Sequence, residues 1–213
     1  VTTLGPDDLL FDMATVEALD WKGVDITKES QGPQRQPGTV QRFVIDRLLA
    51  SKPAYDLVFD GEAAGEIADI VAIRRQGKVL DIELYHCKFS SEATPGSRIK
   101  DLYEVCGQAM KSVRWADRRS LFFQKMIRQE GHRHEAMAGG KGKMHSRLQH
   151  GNADMLDDWM ASRRMMERRF KVVIVQPGYS KSRAVAEHMP LLGSVRAYLA
   201  QTYNVDFGVW VSP

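Results

Sequence analysis

Residues 65–88 constrain this chain more than any other stretch. Two apolar runs, GEIADIVAI from Gly65 and VLDIELYHCK from Val79, flank the polar segment Arg74-Arg75-Gln76-Gly77-Lys78. Short β-rich runs joined by a Gly-containing turn predict a hairpin, with strands over 66–73 and 79–88. Side chains alternate along a strand with period two. Ile67, Asp69, Val71 and Ile73 therefore share one face of the first strand. On the second, Ile82, Leu84, His86 and Lys88 share one face, and Asp81, Glu83, Tyr85 and Cys87 the other. A carboxylate among apolar neighbours is costly unless it is paired or bound to a metal, and the same cost falls on His86 and Lys88 beside Leu84. If the two faces coincide, one pocket holds Asp69, His86 and Lys88.

Such a trio suits phosphodiester hydrolysis. That reaction needs a cation to offset phosphate charge and acidify a water, and a group that orients or deprotonates the water. Asp69 supplies a ligand oxygen, the backbone carbonyl of Cys87 a second, and Lys88 steadies developing negative charge. The same spacing also describes a plain Asp–Lys pair that ties two strands together.

The remaining chain reads as elements around this hairpin. A short amphipathic helix is expected over 7–20, a Pro- and Gly-containing loop over 28–38, a helix over 39–51 and a strand over 55–59. After the hairpin come a helix over 97–115 with Ser97 as its N-cap, a second helix over 117–130 and a mobile Gly-rich loop over 131–151. A helix over 153–168, a strand over 171–176 closed by Pro177-Gly178, a helix over 183–202 and a strand over 205–211 complete the chain. A strand meander followed by strands alternating with helices implies one α/β domain spanning 1–213. Its mixed central sheet of about five strands is flanked by helices. The core covers about 39–116 and 170–211, with a helical insertion at 117–168.

Composition adds bounds. With 213 residues, 43% hydrophobic and 27% charged, the chain suits one globular domain. Net charge is only +3, but residues 111–150 concentrate Lys, Arg and His, which fits a polyanionic partner. Within that basic loop Lys141, Lys143 and Arg147 are the candidate phosphate contacts. His132 and His134 beside Glu135 lack convincing further ligands for a metal. Cys87 and Cys106 do not form a disulfide framework, so a reducing cytoplasm is expected. No run reaches the ~18 apolar residues of a membrane helix, so no membrane association is expected. The chain begins at Val1, which is expected either of a piece of a larger protein or of a chain whose initiator has been trimmed. Trp115, Trp159 and Trp210 are expected as core anchors, and Arg163, Arg164, Arg168 and Arg169 as a solvated helix face.

At Asp69 and His86-Cys87-Lys88 the chain resembles the PD-(D/E)xK nuclease superfamily, in particular its Mrr-like restriction endonuclease branch. That family places an Asp on its second core strand and an acid or Gln two residues before a Lys on the third. The resemblance covers about residues 39–116. It implies a restriction-endonuclease-like fold and metal-dependent cleavage, expected on DNA, with magnesium or manganese as cofactor. It also implies a place in restriction or antiphage defence, beside a helicase or other motor. Helices flanking the strands carry a site-directed Gln in some members; Gln41 and Gln108 are the matching candidates, Gln108 the stronger. His86 departs from the pattern. Imidazole is a poor magnesium ligand but suits manganese and later metals. Either the enzyme prefers manganese, or His86 acts on the water, or the domain binds nucleic acid without cutting it. Glu66 or Glu83 could replace the missing carboxylate, although strict alternation turns Glu83 to the opposite face. A dimer is one expected assembly.

Overall fold

A computed structural model of the chain describes residues 11–62, 65, 67–117, 119–140, 143–162 and 165–213. Its centre is the expected hairpin. Strands β3 (Ile70–Gln76) and β4 (Val79–Cys87) pair antiparallel from Ile70↔Tyr85 to Gln76↔Val79. The turn is shorter than the polar segment suggested, because Arg74, Arg75 and Gln76 stay in the ladder. Only Gly77 and Lys78 close it. Gly77 has φ 61°, the left-handed conformation that glycine supplies in two-residue hairpin loops.

Around the hairpin lie β1 (Glu17–Ala18), β2 (Leu57–Asp60), β5 (Leu148–His150), β6 (Glu167–Ser180) and β7 (Asp206–Ser212). The seven strands form one mixed sheet in the order β1-β7-β6-β4-β3-β2-β5. β4 is parallel to β6, and β7 is parallel to both β6 and β1; the other pairs are antiparallel. The α/β class is as expected, but seven strands replace the expected five. The two additions, β1 and β5, hold two and three residues, too short for a periodicity signal.

Helices α1 (Val40–Leu49), α2 (Ile99–Ser112), α3 (Arg114–Asp117), α4 (Arg119–Ala138), α5 (Ala153–Ala161) and α6 (Met189–Tyr203) cover the two faces. Val71 and Ile73 of β3, Ile82 and Leu84 of β4, and Val172 and Ile174 of β6 pack with residues of α2, α4, α5 and α6. On the opposite face Ile70, Ala72, Tyr85, Cys87, Val173 and Val175 pack with Val40, Val44, Ile45 and Leu48 of α1. Thr39 caps α1 by accepting a hydrogen bond from the Arg42 N–H at 3.3 Å, satisfying one of the free donors at a helix start.

Several sequence expectations are corrected. Residues 13–15 make a 3-10 turn and 17–18 a strand, not an amphipathic helix; residues 7–10 lie outside the described residues. Arg98, not Ser97, occupies the N-cap of α2, without a side-chain cap. α4 runs on to Ala138 through the segment read as loop, because Phe122, Phe123 and Met126 are buried in the core and Gln129 and Glu130 beyond them are buried too. α5 ends at Ala161, while β6 begins at Glu167 and passes through Pro177-Gly178 with a register shift against β7. Arg168 is consequently a buried strand residue donating to the Trp159 carbonyl at 3.2 Å, not part of a solvated helix face, and Arg169 lies on the same strand. Arg163 and Arg164 lie outside the described residues. Trp115 and Trp159 are buried, as core anchors should be. Trp210 is half-buried and packs against the α1 layer.

Candidate active site

Asp69 immediately precedes β3, and His86 is the penultimate residue of β4. Continuing the ladder one step past Ile70↔Tyr85 sets the two side by side on the face covered by α2. Asp69 Oδ2 lies 3.9 Å from His86 Nδ1 and accepts a hydrogen bond from the Cys87 N–H at 2.8 Å. Backbone N–H and C=O of one strand residue point to the same side, so the Cys87 carbonyl is turned toward Asp69 as well. The Cys87 side chain is on the α1 face. Burial, with the charges of Asp69, Glu29 and Glu62, pushes its thiol well above the ordinary range, which rules out a thiolate nucleophile.

His86 is 1% exposed, and both ring nitrogens lack a hydrogen-bond partner among the described residues. Burial lowers the imidazole from 6.5 to about 4, so it is neutral near pH 7. Between those two values the unfolded chain binds a proton that the native state excludes. The His86 contribution to stability is therefore full above about pH 6.5 and declines toward pH 4, by ~3 kcal/mol at most. Denaturant unfolding in chelator-containing buffer at pH 7 and pH 4.5 should record that decline, and His86→Gln should make it markedly shallower.

Lys88 follows β4 on the same face. Its Nζ lies 3.3 Å from Glu29 Oε2 and 3.5 Å from Glu104 Oε2. Partial burial alone would lower the ammonium, but the two carboxylates outweigh it and hold the group above the usual lysine value. Glu29 also accepts from the Phe89 N–H at 3.0 Å, which fixes the 28–38 loop over the end of β4. Gln108, on α2, joins His86 in lining a pocket of about 160 Å³ with Lys111 and Arg114 at its edge. Its Oε1 is buried with no partner among the described residues.

Other candidates fall elsewhere. Gln41 faces the site only through the Asp69 backbone: its Nε2 donates to the Asp69 carbonyl at 3.1 Å and to Asp60 Oδ1 at 3.3 Å, a structural role. Glu83 is on the α1 face, where the Tyr85 hydroxyl donates to it at 2.5 Å, as alternation required. Glu66 and Lys141 lie outside the described residues. Lys143 is exposed. Arg147 is not on a mobile basic surface. It is buried, lies 3.7 Å from Asp60 Oδ1 and donates to the carbonyls of Asp60 (3.1 Å) and Glu62 (2.6 Å). His132 and His134 sit in α4, and His134 pairs with Glu130 at 2.9 Å. Sequence reasoning missed Glu29, Glu104, Lys111 and Arg114. Glu104, Gln108 and Lys111 lie at i, i+4 and i+7 of one helix, a stripe that spacing alone could have revealed. Glu29 sits in an irregular loop and leaves no such signal.

The divalent ion that the sequence resemblance implies can be tested against these atoms. A buried, uncharged imidazole with two unsatisfied nitrogens beside a carboxylate is a donor set that a cation would complete. Asp69, His86 and the Cys87 carbonyl fit that role. Among the described residues no group of three or more His, Cys, Asp and Glu side chains gathers at one point, so the side-chain part of the set is two. Comparison with protein-family models, with curated proteins and with solved structures found no significant match to this chain. No helix among the described residues is long and apolar enough to cross a membrane.

Proposed function

We propose that the chain is a metal-dependent nuclease that hydrolyses phosphodiester bonds of DNA. The observation that carries this reading is the contact of Asp69 with an unsatisfied, neutral His86 on the face that Lys88 also occupies. Asp69, His86 and the Cys87 carbonyl would hold the ion, which when bound supplies a Lewis acid for the phosphate and an acidified water. Lys88, kept charged by Glu29 and Glu104, stabilises the negative charge that develops on the phosphate. Gln108 orients water or phosphate from α2. The sequence resemblance to PD-(D/E)xK nucleases at Asp69 and Lys88 supports such chemistry, and service beside a motor protein in restriction or antiphage defence.

Imidazole favours manganese over magnesium. Plasmid and linear DNA incubated with the protein should be cut at least about tenfold faster with manganese than with magnesium, and not at all with excess chelator. A second reading has its own observation. Lys88 is already neutralised by two carboxylates, which suits a scaffold that binds nucleic acid without cleaving it. DNA binding with no cutting under manganese, magnesium, cobalt, nickel or zinc would establish that alternative and exclude the nuclease.

A further inference from the structure

We infer that the pocket between α2 and the β3–β4 end is an oxyanion seat that holds a single phosphate group, with Lys111 and Arg114 at its rim and Gln108 and His86 deeper in. Its volume of about 160 Å³ corresponds to about five waters at ~30 Å³ each. That accommodates a tetrahedral oxyanion with a little water.

Charge selects an anion. The described residues lining the pocket include two cations and no carboxylate; the Asp69 carboxylate lies behind the wall, 3.9 Å from His86 Nδ1. Lys111 and Arg114 form no ion pair among the described residues; Arg114 lies over the Trp115 ring, 5.0 Å from its centroid. Other basic groups nearby are spoken for: Lys88 by Glu29 and Glu104, Arg98 by Glu92 and Asp101. The rim lies at the C-terminal end of α2, whose dipole opposes an anion with about half a charge. Two full positive charges exceed that half charge and the single Asp69 carboxylate together.

Hydrogen bonding points the same way. Both ring nitrogens of His86, 1% exposed, and Gln108 Oε1 are buried without a partner among the described residues. Leaving such groups unsatisfied is costly, so a polar occupant is favoured. Imidazole keeps one N–H for an anion even when its other nitrogen serves a cation, and the Gln108 amide offers two after a flip that exchanges its O and N. These donors complement the oxygens of a phosphate whose charge the rim cations balance.

The proposed nuclease function enters only in naming the natural anion, a phosphate of the nucleic-acid chain next to the scissile one. The test is therefore run without metal on the full chain. Sulfate, whose charge is fixed, and inorganic phosphate are titrated by calorimetry at constant ionic strength. Saturable binding is expected, weakened at least about tenfold in the double variant Lys111→Ala/Arg114→Ala and unchanged in Lys22→Ala, an exposed lysine with no assigned role. Both substituted side chains are exposed, so the melting temperature should hold. Affinity for sulfate that is unaltered in the double variant, or equally reduced by Lys22→Ala, would overturn the seat. A short single-stranded oligonucleotide should show the same loss in the double variant if the anion is part of a chain, whereas loss for free phosphate alone would assign the seat to small phosphates. Cleavage with manganese is a separate measurement, so absence of cutting would remove the nuclease reading and leave the anion result standing.

Discussion

Asp69→Asn should abolish DNA cleavage while leaving the fold intact. Asparagine is nearly isosteric and its amide oxygen can still accept the Cys87 N–H that Asp69 Oδ2 accepts at 2.8 Å, so the end of β4 stays in place. What is lost is the negative charge beside His86. Removing a partner outside a metal's direct ligands typically costs ~10–100-fold, and loss of the one carboxylate in the set should exceed the upper figure. The comparison variant is Glu83→Gln. Glu83 is on the same strand as His86 but on the other face, hydrogen-bonded by Tyr85, and should retain full activity. Rates from a plasmid assay with manganese decide the matter. Equal activity in Asp69→Asn and the parent would refute the assignment of the site.

Arg147→Met should cause the largest loss of stability, ~3–5 kcal/mol, because it strands a buried charge. The side chains of Arg147 and Asp60 are 11% and 3% exposed. Burial raises the Asp60 carboxyl, and the Arg147 guanidinium is the main influence pulling it back. A carboxyl raised in the native state keeps a proton that the unfolded chain has released. Stability therefore falls as pH climbs from the unfolded value through the native one, and the full penalty persists above it. Without Arg147 the native value rises further and the penalty deepens. The deficit should thus be larger at pH 7.5 than at pH 5 in paired denaturant titrations. A deficit below ~1 kcal/mol would mean that Arg147 behaves as the surface group its sequence neighbours suggested. Equal deficits at both pH values would leave packing, not charge, as its role.

Arg147 also marks where sequence reading stops. Its surroundings, with Gly, Lys and His before it and His150 and Gly151 after it, have the composition of a solvated loop. Its actual partners, Asp60 and the Glu62 carbonyl, are some 85 residues away, and no local pattern encodes that closure. The hairpin was legible because its information is local: β-rich runs, a Gly turn and period-two alternation put His86 and Lys88 on one face, while the register Ile70↔Tyr85 that joins Asp69 to that face came only from the fold. The placing of Gln108 on a helix was legible too, since 97–115 has helical spacing and α2 spans Ile99–Ser112. β1 and β5 were not, since two- and three-residue strands exist only through their neighbours. Glu29 belongs to the same class. It reaches Lys88 from an aperiodic loop, so only the three-dimensional arrangement reveals that the lysine is shared with two acids. The helical run of α4 past Gly131 is a further instance, in which packing outweighed the local preference for a break.

The two thiols, one non-nucleophilic and both unbridged, have a practical use. Cys87 is fully enclosed on the α1 side of the sheet and Cys106 is enclosed on the α2 side, where burial pushes it up to about 12. Neither can react while its layer stays closed. The native chain thus carries two intrinsic chemical clocks, one for each layer, whose alkylation rates time how often each helical cover lifts from the strands beneath.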